Sequence, residues 1–201
     1  MGYYVRVLSI SANSVSFARL QSALENEKSA ATLSIEAGEP EDWTHITLAH
    51  ADGREIASIE RNVVKERSLA TAELAEFAEE VVDFKPASAA KWLVEYFLRV
   101  KCIYAFQVLS GAYQENGWET LDVVRSSIWS AAPSILQADN EGFSNEDGYH
   151  ILWQFEDSVN GDWWMAVLQD GQWKRFQMDL GNHKHRESFF AGVIPNGVEL
   201  S

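Results

Sequence analysis

Residues 102–173 carry eleven acidic side chains and one basic one, Arg125, together with twelve of the chain's 24 aromatic residues and six of its eight tryptophans. High negative charge by itself describes a segment too polar to bury a core, but that description requires few aromatics. Tryptophan at this density left in water would expose a large apolar surface. The segment must therefore fold, with its carboxylates on the outside of a packed interior.

The whole chain is consistent with that reading. Its 201 residues, 46% of them hydrophobic, suffice for one domain with a sizeable core. We read residues 1–201 as a single α+β domain, with subdomains 1–101 and 102–201 as the alternative. The net charge of −14 argues against DNA or RNA as a partner and against docking on anionic lipid, both of which need clustered Lys and Arg. It favours a basic protein partner electrostatically. The lone cysteine, Cys102, rules out an internal disulfide and lies in the apolar run 100–109, where a buried, inert thiol is expected. The first residues alternate like a strand and lack a signal peptide's long apolar core, and no stretch approaches the roughly 18 apolar residues of a membrane span. These features fit a cytoplasmic protein.

Periodicity gives the elements. Residues 3–10 read as a strand. Asn13 or Ser14 can cap a helix whose Phe17, Leu20 and Leu24 share a face. Strands are predicted at 31–36, 43–49 and, after the Asp52-Gly53 turn, 55–62. This is a β-α-β-β-β unit whose helix is expected to cross over between parallel strands. A central α-hairpin follows. Its first helix turns Leu74, Phe77, Ala78 and Val81 inward and Glu73, Glu76, Glu79, Glu80 and Asp83 outward; Pro86 opens the second, with Leu93, Tyr96, Phe97 and Val100 inward. A buried strand at 103–109 and one further helix at 118–129 come next. The stretch 139–148 reads as an acidic loop.

The C-terminal third predicts a three-stranded β-meander at 149–156, 163–169 and 172–180, so the sheet is mainly antiparallel. Asn160-Gly161 and Asp170-Gly171 are preferred pairs for two-residue hairpin loops, and two such loops fix the register. Glu156 should then face Met165 and Gln154 face Val167; Met165 should face Phe176, Val167 face Lys174 and Leu168 face Trp173. Alternation sorts Ile151, Trp153, Phe155, Trp164, Ala166, Leu168 and Trp173 onto an apolar face that reads as core. The opposite face is mixed, with His150, Leu152, Gln154, Glu156, Trp163, Met165, Val167, Lys174, Phe176 and Met178. Its polar part, His150, Gln154, Glu156, Trp163 and Lys174, is the candidate binding patch.

No catalytic motif or cofactor fingerprint is present. His183-x-His185 with Asp179 is a weak metal pattern, opposed by Lys184 and Arg186. The run from Asp139 fails as a calcium loop because Phe143 takes a ligand position and Ser144 the glycine position. We therefore expect no catalytic residues, no metal and no cofactor. The reading favoured by sequence is a non-enzymatic, cytoplasmic binding or regulatory protein. It acts through its acidic, Trp-rich C-terminal half, for example as an antitoxin or immunity-type protein that plugs a basic nucleic-acid-degrading site. Self-association as a homodimer is compatible with it. The alternative is a small-molecule-binding protein or hydrolase with a carboxylate-containing pocket on the C-terminal sheet.

Overall fold

The computed structural model describes residues 2–200. In chain order the elements are β1 (Tyr3–Ser9), α1 (Phe17–Asn26), β2 (Thr32–Glu39), β3 (Asp42–Ala49), β4 (Glu55–Val63), α2 (Leu69–Glu80), α3 (Ala87–Phe97), β5 (Cys102–Val108) and α4 (Gly117–Trp129). There follow β6 (Ser134–Ala138), β7 (Gly142–Ser144), β8 (His150–Trp153), β9 (Asp162–Gln169), β10 (Gln172–Asp179), α5 (His183–Phe190) and β11 (Glu199–Leu200). The fold is α+β, with mostly antiparallel strand pairing, as the sequence predicts. The chain forms two compact units, each drawn from two separate segments. Unit 1 is Met1–Thr71 with Val100–Ser134, and unit 2 is Ala72–Arg99 with Ile135–Ser201.

In unit 1 the strands lie in the order β1-β5-β4-β3-β2, every neighbour antiparallel. β5 reads Cys-Ile-Tyr-Ala-Phe-Gln-Val and is buried almost throughout, as befits a strand flanked on both sides. The expected parallel crossover does not form. α1 carries the chain from β1 to the far edge of the sheet, and β5 takes the place beside β1 instead. The cap of α1 also lies two to three residues later than the sequence suggests: Ser16, not Asn13 or Ser14, accepts from the Arg19 amide. Asn13 and Ser14 belong to a loop tied down from below by three neighbouring strands. Trp43 Nε1 donates to Val15 O at 2.7 Å, Arg61 Nη2 to Ala12 O at 2.8 Å and Tyr104 OH to Asn13 O at 3.2 Å. Arg61 is only 7% exposed and reaches Asp42 at 2.7 Å, so its charge is compensated where it lies.

In unit 2 the order is β6-β7-β8-β9-β10-β11. Residues 139–148 are not one loop, because β7 folds back on β6 through a turn at Asn140, with Ala138 opposite Gly142. Phe77 of α2, Phe97 of α3 and Phe143 of β7 form a ring triangle with centroids 5.5 to 6.1 Å apart. The second expected hairpin forms in the register deduced from Asp170-Gly171, with Met165 opposite Phe176 and Leu168 opposite Trp173. The first does not. β8 meets β9 in a single parallel pair, His150 opposite Met165, and neither Glu156–Met165 nor Gln154–Val167 is a strand pair.

The expected core face holds only in part: Ile151, Trp153, Phe155 and Ala166 are buried as expected, and the rest is corrected. Met165, Val167, Phe176 and Met178, assigned to the mixed face, are fully buried against Phe189 of α5. Trp164, assigned to the core, is 41% exposed, and Leu168 and Trp173 are half-buried. The cause is α5, a helix that periodicity does not announce. Asn182 Oδ1 accepts from the Lys184 and His185 amides, and the helix it starts delivers Phe189 and Phe190 onto the sheet. On that helix His183 and His185 point to different sides and cannot converge on an ion.

Arg186 locks this arrangement. Its guanidinium donates to the carbonyls of Leu180, Asp157 and Val159, the last two at 2.9 and 2.7 Å, and lies 5.2 Å over the Trp153 ring. Arg186→Ala should lower unfolding stability in urea by about 2–4 kcal/mol, because three carbonyls lose a charged donor at once. Arg186→Lys should recover less than half of the loss, since an ammonium cannot span the same fork.

Candidate functional site

The five residues of the expected patch divide by environment. His150 and Trp163 come together, but inside the structure. The imidazole is 3% exposed, with Phe155 at 4.7 Å and Trp163 edge-on at 5.7 Å between ring centroids. Its Nε2 donates to Glu141 O at 2.9 Å, which sets the tautomer. Burial pushes its pKa down to about 4, against the pull of the Glu141 and Leu152 carbonyls, so at neutral pH the ring is uncharged. Lys174 turns along its own strand, donating to Gln172 Oε1 at 3.0 Å. Glu156 is exposed.

Gln154 leads to a feature that sequence analysis set aside. Its backbone amide donates to Glu141 O at 3.0 Å and its side-chain Nε2 to Glu80 Oε1 at 3.0 Å. This bond ties the segment bearing Glu156 and Asp157 to the outer face of α2. That face carries exposed Glu76, Glu79 and Glu80, and Asp83 is exposed just beyond the helix. The spacing of three and four residues makes these acids neighbours on one side of the helix. No Lys or Arg occurs between Arg67 and Lys85 to interleave with them. The spacing was visible in the sequence, whereas the link through Gln154 depends on residues 74 positions apart.

Charge is unevenly shared between the units. Unit 2 holds 17 acidic residues against 7 basic ones, and unit 1 holds 13 against 9. Several bases of unit 2 are committed internally: Arg175 pairs with Asp147 at 2.6 Å and lies over Tyr149, and Arg186 is spent on carbonyls. Reactive groups are muted. Cys102 is fully buried, and burial pushes its thiol up to about 11, against the influence of Arg61. Burial and the nearby Glu146 carboxylate hold the Tyr96 hydroxyl far above its usual range.

Unit 1 has a polar cleft of about 600 Å³ between the end of α1, the β3–β4 turn and the start of α4. Within its lining Arg54 meets Asp52 at 2.8 Å, and His50 Nε2 lies 2.8 Å from Gly111 O. None of the five patch residues lines it. No helix among the described residues is long and apolar enough to cross a membrane. Comparison with known proteins gives no matching family model, no matching curated protein and no matching solved structure.

His150 makes stability depend on pH. Its pKa is about 4 when folded and about 6.5 when unfolded, so between these values the unfolded chain binds the extra proton. Stability should therefore be lost as pH falls from about 6.5 through about 4, by on the order of 3 kcal/mol from this group. Denaturant titrations across that range should show His150→Gln with a shallower slope than wild type, the difference corresponding to about one proton.

Proposed function

We propose that this protein is a non-enzymatic binding protein whose acidic unit 2 face engages a basic protein partner. The observation that carries the reading is the α2 face continued through Gln154. Like charges three and four residues apart cost a helix about 0.2–0.5 kcal/mol per pair, and Glu76, Glu79, Glu80 and Asp83 accept that cost with no interleaved base. Such a face does nothing for folding. It does steer a positively charged partner and discriminates against acidic ones. Masking the basic surface of a nucleic-acid-degrading protein is one concrete form of this role. The same face repels nucleic acid and anionic lipid.

Binding through exposed carboxylates must weaken as salt screens them, over a Debye length of about 8 Å at physiological ionic strength. The chain immobilised at low salt should retain a basic protein from native lysate and release it in high salt. The triple variant Glu76→Lys, Glu79→Lys, Glu80→Lys should reduce retention of that protein at least about tenfold, the equivalent of about 1.4 kcal/mol. Retention that survives both the salt and the triple variant would remove the basis of the proposal.

A further inference from the structure

β2 is the outer edge of the unit 1 sheet, with β3 on one side only. Its two halves differ. From Glu36 to Gly38 the strand shifts register twice against β3, a bulged geometry that guards an edge against further pairing. Thr32 to Ile35 pair with β3 without a shift, and neither Lys nor Pro occurs anywhere in the strand. Leu33 lies opposite Leu48, and Ile35 opposite Ile46. Both β3 residues are fully buried, whereas Leu33 and Ile35 remain only half-buried at the margin of that apolar layer.

We infer that this edge pairs with β2 of a second copy, antiparallel about a two-fold axis at Ser34. An axis perpendicular to the sheet keeps each face on its own side, so residues of like parity must lie opposite each other. Centring on Ser34 places Leu33, Ser34 and Ile35 of the unguarded run opposite one another, with Thr32 meeting the start of the bulge. Leu33 then stands opposite Ile35 of the second copy, and the reciprocal pair extends the Leu48 and Ile46 layer across the axis. Glu36 falls opposite Thr32 of the second copy, so no carboxylate of the paired run opposes another, and Ser34 meets its own counterpart. Unit 1 is also where two copies repel least, since unit 2 carries most of the net negative charge.

Few residues are paired on each side, so the interface is small and the dimer weak, with association expected over roughly 10 µM to 1 mM. Like-charged copies approach more easily when screened, so dimerisation strengthens with salt, opposite to the binding proposed for unit 2. The two readings therefore fail independently.

The test is sedimentation of the full chain over that concentration range. Ser34 is exposed and bonds only the neighbouring Glu36 carboxylate, at 2.7 Å, so substitutions there spare the core. Wild type should move from monomer towards dimer as concentration rises, and more so at high salt. Ser34→Lys and Ser34→Glu should each stay monomeric, while an equimolar mixture of the two should associate. As a second measurement, Ser34→Cys should oxidise to a cross-linked dimer much faster than the exposed control Ser158→Cys. The inference is overturned if wild type stays monomeric throughout, if its dimer tolerates both charged variants, if the mixture fails to associate, or if the two cysteine variants cross-link equally.

Discussion

The strand on which unit 1 depends is β5. It pairs along its whole length with β1 on one side and β4 on the other, and six of its seven residues are buried. A segment this apolar cannot lie at an edge, so it takes the central place although it comes from much later in the chain than its neighbours. Three consequences follow. The early hairpins β2–β3–β4 are displaced outward, leaving β2 as the rim. The excursion between β4 and β5 is free to belong to unit 2, which makes both units discontinuous. And Tyr104, carried by β5, joins Trp43 and Arg61 in holding the 10–16 loop, so the entry to α1 depends on a strand made some ninety residues later.

What could be read from the sequence was local. Alternation located β1 to β4, and Asp170-Gly171 gave the β9–β10 register residue by residue, because a two-residue loop leaves no slack. Asn160-Gly161 looks the same and misleads. Residues 154–161 form an irregular segment held by Arg186 and by Gln154, so the pair is not flanked by two facing strands. The misplaced residues of β9 and β10 have a similar origin. α5 reads His-Lys-His-Arg-Glu-Ser-Phe-Phe and is too polar over most of its length to announce a core-covering helix. Its one local signal is Asn182 as N-cap, and its weight is carried by Phe189 alone among fully buried residues. Alternation correctly divided β9 and β10 into two sets. Which set faces the interior was decided by an element that periodicity does not reveal.

The same contrast applies to the candidate patch. Grouping His150, Gln154, Glu156, Trp163 and Lys174 assumed a flat β8–β9 hairpin that would display them together. With β8 meeting β9 at one parallel pair, His150 turns under Phe155 and Trp163 while Gln154 swings to Glu80. The acids of α2 were identified in sequence as an outward face but had no partner there. The long-range Gln154–Glu80 bond, with the Trp153 amide donating to Lys85 O at 2.9 Å, joins them to the segment that bears the C-terminal carboxylates.

A consistent rule governs where charge is allowed in this protein. Inside unit 2 the buried rings of His150 and Tyr96 are kept neutral, and inside unit 1 the buried guanidinium of Arg61 is compensated by a carboxylate and a carbonyl. Arginine elsewhere serves as a tether to backbone oxygens or to a single partner acid rather than as a neutraliser of the acidic surface. Along α2, Glu76, Glu79 and Glu80 are exposed and no Lys or Arg is interleaved with them in the sequence. Arg186 illustrates the choice best: it lies in the segment beside Glu156 and Asp157, yet bonds the Asp157 carbonyl and not its carboxylate. Interspersed signs would cost the helix less than this run of like charges does. Unit 2 is thus stabilised by arginines that bond backbone oxygens, which leaves the like charges of α2 next to one another on its outer face.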